Sequence, residues 1–283
     1  MARLDALINR SGTSVRARPR MPVHPGRSWS LAGVLLGLVI AFVCWAPAHW
    51  FTRPLEQLVQ QRLLLSQTRG TLWSGSAQLA LSAGPGSQQS VLLPGRLTWS
   101  VQPQVWPAPG LTIRLTMPCC TPTPLQLQTE INWSGIALRV QDHQSEWPAS
   151  ALSGLGTPWN TLQAQGRLHL ETRRLEMRWA EHRLQVAGEA SLSLLDLSSR
   201  LSTLRPMGSY RLQLHGNTAQ APMQVQLDTL EGRLQLQGKG QWSGERWRFE
   251  GEASAAPEHE AALSNLLNVL GQRRGNKALL TMG

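Results

Sequence analysis

Only one short motif in the sequence begins like a catalytic metal site. His259-Glu260 opens the zinc-binding pattern H-E-x-x-H, in which two histidines one helical turn apart hold the metal. The fifth position is Leu263, so the second ligand is missing. The sequence also contains no G-x-S-x-G motif and no nucleotide-binding glycine loop followed by a helix. Because this motif is incomplete and the others are missing from the sequence, we predict neither a bound metal nor a cofactor.

A second set of polar residues, Asp142, His143 and Glu146, falls at a predicted strand end. A general acid or base needs a pKa that burial or a close charge has shifted. The acidic residues of the predicted strands lie on polar faces or in turns, where the spacing offers no buried pair. A solvated turn explains the three residues, and we predict that the protein is not an enzyme.

The three cysteines do not predict a disulfide framework. Cys44 lies in an apolar stretch far from the adjacent Cys119 and Cys120, and neighbouring cysteines close a disulfide only through a strained ring. No C-x-x-C motif and no histidine at metal-ligand spacing accompany the pair. We predict two small apolar residues in a loop beside Pro118. An oxidised vicinal pair and a link to another chain are the alternatives.

The elements that position these residues follow an uncharged stretch near the N-terminus. Residues 28–52 contain no charged side chain, and as a helix they are long enough to cross the roughly 30 Å hydrocarbon core of a bilayer. Aromatic residues flank the stretch, as expected at the level of the lipid headgroups. We predict a single transmembrane helix over residues 29–51. Its anchor residues are Trp29, Leu35, Leu38, Ile40, Phe42, Trp45 and Trp50.

The flanks of this stretch predict its orientation. Residues 1–28 hold six arginines against one acid, Asp5, and short arginine-rich flanks stay on the cytoplasmic side of a membrane. We therefore predict a cytoplasmic tail over residues 1–28 and a domain outside the cytoplasm over residues 52–283. A cleaved secretory signal is the alternative, since residues 46–48 form a small-residue site of the A-x-A kind.

The formal net charge is +10 and the pI is about 11.2. Half of the excess charge lies in the tail, where it is a topology signal. The other half is arginine scattered singly along the predicted strands, without a basic run. The electrostatic footprint of a nucleic-acid-binding protein is therefore missing.

After the apolar stretch, the hydrophobic period changes from 3.6 to 2. Apolar and polar residues alternate in runs that are bounded by turn residues, for example at 172–174 and 231–232. Each predicted strand has one dry and one wet face. We predict a mainly β domain built on a curved antiparallel sheet, with a possible subdivision near residues 150–160.

Small residues replace large ones on the predicted dry face, among them Gly188, Gly238, Gly240 and Gly251. Glycine inside a strand marks a bend, a bulge or the close approach of another backbone. Such a sheet should curl into a narrow sandwich or a folded-over trough. The alternative is that these glycines pack opposite large tryptophans.

Near the C-terminus the hydrophobic period returns to 3.6. Four leucines from Leu263 to Leu270 share one face, acidic residues precede them, and glycine follows. We predict a short C-terminal helix over about residues 257–272. A final strand over residues 278–282 closes an edge of the sheet.

Five segments, in this order, carry a family resemblance. They are GTLWSG at 70–75, GLGTPWNTL at 154–162, LSTLRPMGSYRL at 201–212, TLEGRLQLQGKGQWSG at 229–244 and AAPEHEAALSNLLNVLGQRRG at 255–275. In these segments the chain resembles the type II secretion system protein N family (GspN). The last three segments are the most specific. The arginine-rich tail and the loop with the two cysteines match only weakly.

The resemblance implies a bacterial inner-membrane protein with a mainly periplasmic body that takes part in exporting folded proteins across the outer membrane. It implies the secretin and inner-membrane platform proteins as partners, and no catalytic residues. We hold two hypotheses: a scaffold that docks other secretion components, or a membrane-anchored trough that carries lipid along its curved sheet. The candidate interaction residues are Trp73, Trp159, Asn160, Tyr210 and Trp242.

Overall fold

The computed structural model describes residues 27–87, 90–106, 108–133, 135–157, 159–180, 183–216, 222–242 and 247–282. The predicted cytoplasmic tail lies almost entirely outside these residues. The chain divides into two compact units, Met1–Cys44 and Trp45–Gly283.

The described part of the first unit is one apolar helix, α1, over Arg27–Cys44. Its exposed apolar side chains are Leu31, Val34, Leu35, Leu36, Leu38, Val39, Ile40, Phe42 and Val43. Among the described residues, no helix reaches both the length and the apolar character that a membrane span requires.

The single helix expected over residues 29–51 is two helices in the structure. α1 ends at Cys44, and α2 covers His49–Leu58. Pro47 lies between the two helices and explains the break, because proline lacks an amide hydrogen and disfavours helical backbone at the residue before it. Pro47 instead forms an isolated antiparallel bridge with Thr71. Trp45 and Trp50, predicted as anchor residues, therefore belong to the second unit.

The described residues of the second unit form five helical segments and sixteen strands. After α2, its helical segments are a 3-10 helix (Ala149–Leu155), α3 (Trp159–Leu162), a second 3-10 helix (Pro257–His259) and α4 (Glu260–Leu270). The strands are β1 (Leu63–Gly70), β2 (Ser74–Ser82), β3 (Ser90–Leu92), β4 (Leu97–Gln104), β5 (Gly110–Thr116), β6 (Leu125–Asn132), β7 (Gly135–Val140), β8 (His143–Pro148), β9 (Gln165–Ala180), β10 (Arg183–Ser198), β11 (Gly208–Gly216), β12 (Met223–Gly232), β13 (Leu234–Trp242), β14 (Trp247–Ala255), β15 (Gln272–Arg274) and β16 (Lys277–Met282).

All sixteen strands form one open antiparallel sheet. Its order is β1-β2-β4-β5-β6-β7-β9-β10-β11-β12-β13-β14-β16-β15, while β3 pairs with β2 and β8 pairs with β9. The prediction of a mainly β, antiparallel chain with a short C-terminal helix is confirmed. The strands belong to one sheet and not to the two packed sheets of a narrow sandwich, because helical segments cover the dry face instead.

The turn predicted at residues 172–174 is wrong, because β9 runs straight through it. A β-bulge lies there: Arg174 has a φ of 47°, and the register against β10 shifts between Ala187 and Glu189. The Arg174 N–H donates to the Asp142 carboxylate over 2.6 Å. The bulge takes up the residue that interrupts the alternation, so the dry face continues past it.

The dry face of the sheet is covered at one end only. The described buried core forms three clusters, which contain Met207 with Leu263, Met117 with Ala151, and Ala149 with Leu168. All three lie toward the end of the sheet where β2 and β8 end and β9, β11 and β13 begin. The first 3-10 helix, α3, the segment before β11, and α4 supply the covering side chains.

The segment near residues 150–160 packs against strands that are far apart in the sheet. The first 3-10 helix contacts β2 and β3 on one side and β9 on the other. A Cβ on Gly154 would come within 2.6 Å of the Leu81 carbonyl oxygen. Because a seven-residue segment touches both regions, the sheet must curve around it.

One group of dry-face glycines is explained by a large side chain that covers it. A Cβ on Gly238 would lie 2.5 Å from Cζ of Phe249, and Cβ atoms on Gly240 and Gly251 would also meet this ring at 2.9 and 3.1 Å. The packing alternative therefore applies to these three positions. The covering residue is a phenylalanine and not the tryptophan that we expected.

Candidate interaction surfaces

Tyr210 was predicted as an interaction residue, and the structure places it in the core. It is 4% exposed and belongs to the cluster that contains Leu263 and Leu266 of α4. Its hydroxyl donates to the Leu234 carbonyl over 3.0 Å. Burial raises the pKa of Tyr210. The side chain holds β11 and β13 together and is not available to a partner.

The other candidate residues do not form one site. Trp73 lies half-buried in the β1–β2 turn, and Trp242 lies half-buried at the end of β13. Trp159 and Asn160 are neighbours in α3, where Trp159 is 37% exposed and Asn160 donates its N–H to the Gly156 carbonyl. Of the residues predicted from the sequence, the structure thus brings only Trp159 and Asn160 together.

A recess of about 540 Å³ lies beside Asn160. It is lined by Ser150, Ser153, Gln163 and Arg200, among others. These are uncharged polar groups and one exposed arginine. The recess offers hydrogen bonds to a partner but no acid or base arrangement.

The polar residues that suggested chemistry have separate structural partners. Asp142 accepts the bulge N–H described above, and Glu146 lies 3.7 Å from Arg167. His143 is buried with its Nδ1 3.5 Å from the Thr123 hydroxyl, and burial lowers its pKa.

Glu260 of the incomplete H-E-x-x-H motif pairs with Arg273 at 2.9 Å. Among the described residues, no group of three His, Cys, Asp or Glu could hold a metal.

Cys119 and Cys120 form a vicinal disulfide, so the oxidised pair that the sequence left as an alternative is the one present in the structure. The Cα atoms are 3.7 Å apart, which is shorter than the separation of ordinary disulfides. The sequence argument ranked the bridge below two unpaired loop residues on that ground. The loop holds the pair in a tight turn, in which the Cys120 N–H donates to the Met117 carbonyl.

One edge of the sheet is occupied by the chain itself. α2 packs along β1, and the Glu56 carboxylate accepts the Leu65 N–H over 2.9 Å. At the other end of β1, the Ala48 N–H donates to the Gly70 carbonyl. The opposite edge is different: β15 pairs with residues 277–279 only, and the outer side of residues 280–282 has no described strand beside it.

Exposed apolar side chains gather at the end of the sheet that the core clusters leave uncovered. Ile131 pairs with Ile136, Ile136 pairs with Trp179, and the Ile131 N–H donates to the Pro109 carbonyl in the β4–β5 loop. Three hairpins therefore end side by side. We call six of their exposed residues the aromatic tips: Val105, Trp106, Ile131, Trp133, Ile136 and Trp179.

The comparisons with known proteins match this architecture to one family. The family model of type II secretion system protein N matches residues 61–279. The chain belongs to this family. Neither the comparison with curated proteins nor that with solved structures found a match. Protein N is an accessory component of type II secretion, and the resemblance noted in the sequence is confirmed.

Three of the segments that carry the resemblance meet in the largest described core cluster. Met207 and Tyr210 come from the 201–212 segment, Leu234 from the 229–244 segment, and Leu263 and Leu266 from the 255–275 segment. These segments follow one another along the last third of the chain and pack at the covered end of the sheet.

Proposed function

We propose that this protein is a non-enzymatic accessory component of type II secretion, held in the inner membrane, whose periplasmic sheet docks other secretion components. Family membership over residues 61–279 carries the proposal. The secretin and the inner-membrane platform proteins are the expected partners. Binding, and not catalysis, fits a chain whose polar clusters are engaged in structural contacts.

α1 is the proposed membrane anchor, oriented with the arginine-rich tail in the cytoplasm. Leu35, Leu38, Ile40 and Phe42 of α1 are each more than half exposed. A helix that exposes this much apolar surface needs a cover, which a bilayer provides. The Cys119–Cys120 disulfide also supports a periplasmic body, because disulfides persist in oxidising compartments.

The open edge at β15 and β16 is the proposed docking edge. An extended segment of a partner can add to an exposed strand and bond its main chain to it. The outer side of β1 is already occupied by α2 and residues 46–48, so the β15–β16 edge is the better acceptor. Gln272, Arg273 and Arg274 of β15 are all exposed, which favours a partner segment with acidic side chains.

A single position tests this edge. Arg274 and Lys277 flank the two-residue loop of the β15–β16 hairpin, so they form a hydrogen-bonded pair and the N–H of Arg273 points outward. Arg273→Pro removes that outward donor. Arg273→Ala is the matched control, because it removes the bonds of the side chain to Ser264 and Glu260 and keeps the N–H.

The measurement is co-purification from solubilised membranes of a strain that carries the full secretion apparatus. We expect secretion components with the wild type and with Arg273→Ala, and their loss with Arg273→Pro. Equal recovery of secretion components with Arg273→Pro and Arg273→Ala would refute the proposal that this edge is the docking edge. Absence of any secretion component with the wild type, together with unchanged secretion in a deletion strain, would remove the proposed function.

A lipid-carrying trough is the alternative, and one observation favours it. Leu138, Met177 and Val186 lie on the dry face beyond the described core clusters and are only half-buried. An acyl chain could cover them. Native mass spectrometry of the purified full chain should then find bound lipid, and its absence would count against this alternative.

A further inference from the structure

We propose that the aromatic tips rest in the headgroup layer of the membrane that holds α1, so that the sheet is supported on the bilayer by three hairpin ends. The inference rests on the proposed anchor. It adds a second, peripheral membrane contact through the folded body.

The chain enters the second unit at the end of the sheet that carries the tips. The Ala46 carbonyl accepts the Leu72 N–H over 3.0 Å in the β1–β2 turn. That turn lies beside β4, because the Val101 N–H donates to the Trp73 carbonyl, and β4 leads directly to Trp106. Ala46, near the start of the second unit, therefore lies at the end of the sheet that carries the tips. Trp45, at the junction, is 75% exposed.

The residue types at the tips suit a lipid interface. Trp106 is 86% exposed and Trp133 is fully exposed. An indole ring at a loop end is costly in water, and it is favourable at the headgroup level, where its apolar body and polar N–H are both accommodated. The three rings, on Trp106, Trp133 and Trp179, project from three separate hairpins. Such an arrangement meets a broad surface more readily than it fills a pocket.

The opposite end of the sheet has a different composition. Its loops include Ala-Gly-Pro-Gly-Ser at 83–87 and the segment 199–206, which contains Arg200 and Arg205. Its exposed large apolar residues are aliphatic and come from several elements, for example Leu58 at the end of α2, Leu92 in β3 and Leu230 in β12. Of the tryptophans in the second unit, Trp147 and Trp159 lie toward that end. The asymmetry points to one end of the body as the membrane-facing one.

Charge near the tips is balanced. Arg139 pairs with both Glu130 and Glu176, and Glu176 also pairs with Arg178 at 2.9 Å. Among the described side chains, two arginines and two glutamates give this polar face no net charge. The contact therefore depends on the aromatic and aliphatic side chains, and we expect it to be insensitive to the fraction of anionic lipid.

Photo-cross-linking to lipid tests the proposal on the full chain in nanodiscs. p-Benzoyl-phenylalanine replaces Trp106 or Trp133 at the tips, Leu38 in α1, or Leu230 at the opposite end. All four side chains are exposed, so the replacements disturb no core packing. Intact-mass measurement after irradiation detects lipid adducts, in nanodiscs of phosphatidylcholine alone and of phosphatidylethanolamine with phosphatidylglycerol.

We expect lipid adducts from positions 38, 106 and 133 in both lipid mixtures, and no adducts from position 230. Adducts at 38 without adducts at 106 and 133 would overturn the tip contact and leave the anchor standing. A lack of adducts at 38 would overturn the anchor itself. Cross-links from 106 or 133 to a second copy of the chain would assign the tips to an interface between copies instead.

Discussion

Replacing Gly238 with alanine should destabilise the second unit because of one aromatic ring. The new Cβ would lie 2.5 Å from Cζ of Phe249, about 1 Å inside the usual carbon–carbon contact distance of about 3.5 Å. Phe249 is 7% exposed and stacks on Trp247 at 6.5 Å between ring centroids, so its ring has little space to move. We expect Gly238→Ala to lower the free energy of unfolding by about 1–3 kcal/mol.

The same substitution should behave differently once the ring is gone. Phe249→Ala alone removes a buried ring and should cost about 3–5 kcal/mol. In that background the Cβ on Gly238 meets no ring. Alanine then restricts the unfolded chain, so Gly238→Ala should be neutral or should stabilise by up to about 1 kcal/mol. The two substitutions should therefore couple by about 2 kcal/mol.

The measurement is urea unfolding of the full chain in detergent, followed by far-UV circular dichroism for the wild type, both single variants and the double variant. Gly75→Ala is the control. Gly75 lies in β2, many strands away from Phe249 in β14, and its Cβ would meet the ring of a different residue, Trp99. Combined with Phe249→Ala, it should be additive within about 0.5 kcal/mol. If Gly238→Ala costs the same with and without Phe249, the ring is not what excludes a side chain at this position.

Three further predictions concern Tyr210, His143 and the cysteines. Tyr210 is the only tyrosine in the chain, so absorbance at 295 nm reports on it alone and should show it ionising only above the usual tyrosine pKa of about 10. The free energy of unfolding should be constant below that pH and should fall as the pH rises above it. Tyr210→Phe should not show this loss. Burial lowers the pKa of His143 in the folded chain, so as the pH falls this histidine takes up a proton more readily in the unfolded chain. The free energy of unfolding should therefore fall as the pH drops below about 6.5. His143→Gln should remove that part of the acid dependence, and an unchanged profile would contradict the assignment. Alkylation of the unfolded chain should modify Cys44 alone without reductant and all three cysteines with it, and modification of Cys119 without reductant would exclude the bridge.

Local alternation was enough to predict the strands. Runs such as those in β11 and β13 alternate strictly, because every second side chain must face a covered surface. The C-terminal helix was equally readable from its four leucines on one face. These features depend on neighbours within a few residues, and a single sequence contains that information.

Features that depend on distant parts of the chain were missed. The three basic and polar residues at 172–174 looked like a turn, and only the carboxylate of Asp142 shows why the strand continues through them. The burial of Tyr210 likewise depends on contacts across the fold. The tips could have been found: Trp106 precedes Pro107 and Trp133 precedes Ser134-Gly135, and turn segments of this kind seldom carry tryptophan.

The occupied edge at β1 limits how this protein can assemble. An open sheet with two receptive edges could add copies of itself at both sides and grow into a filament. Here Glu56 and residues 46–48 already bond to the outer side of β1. Among the described strands, growth can therefore proceed only from β15 and β16. Two copies that paired through this edge would present only their covered β1 edges, so assembly of the sheet would end at a dimer.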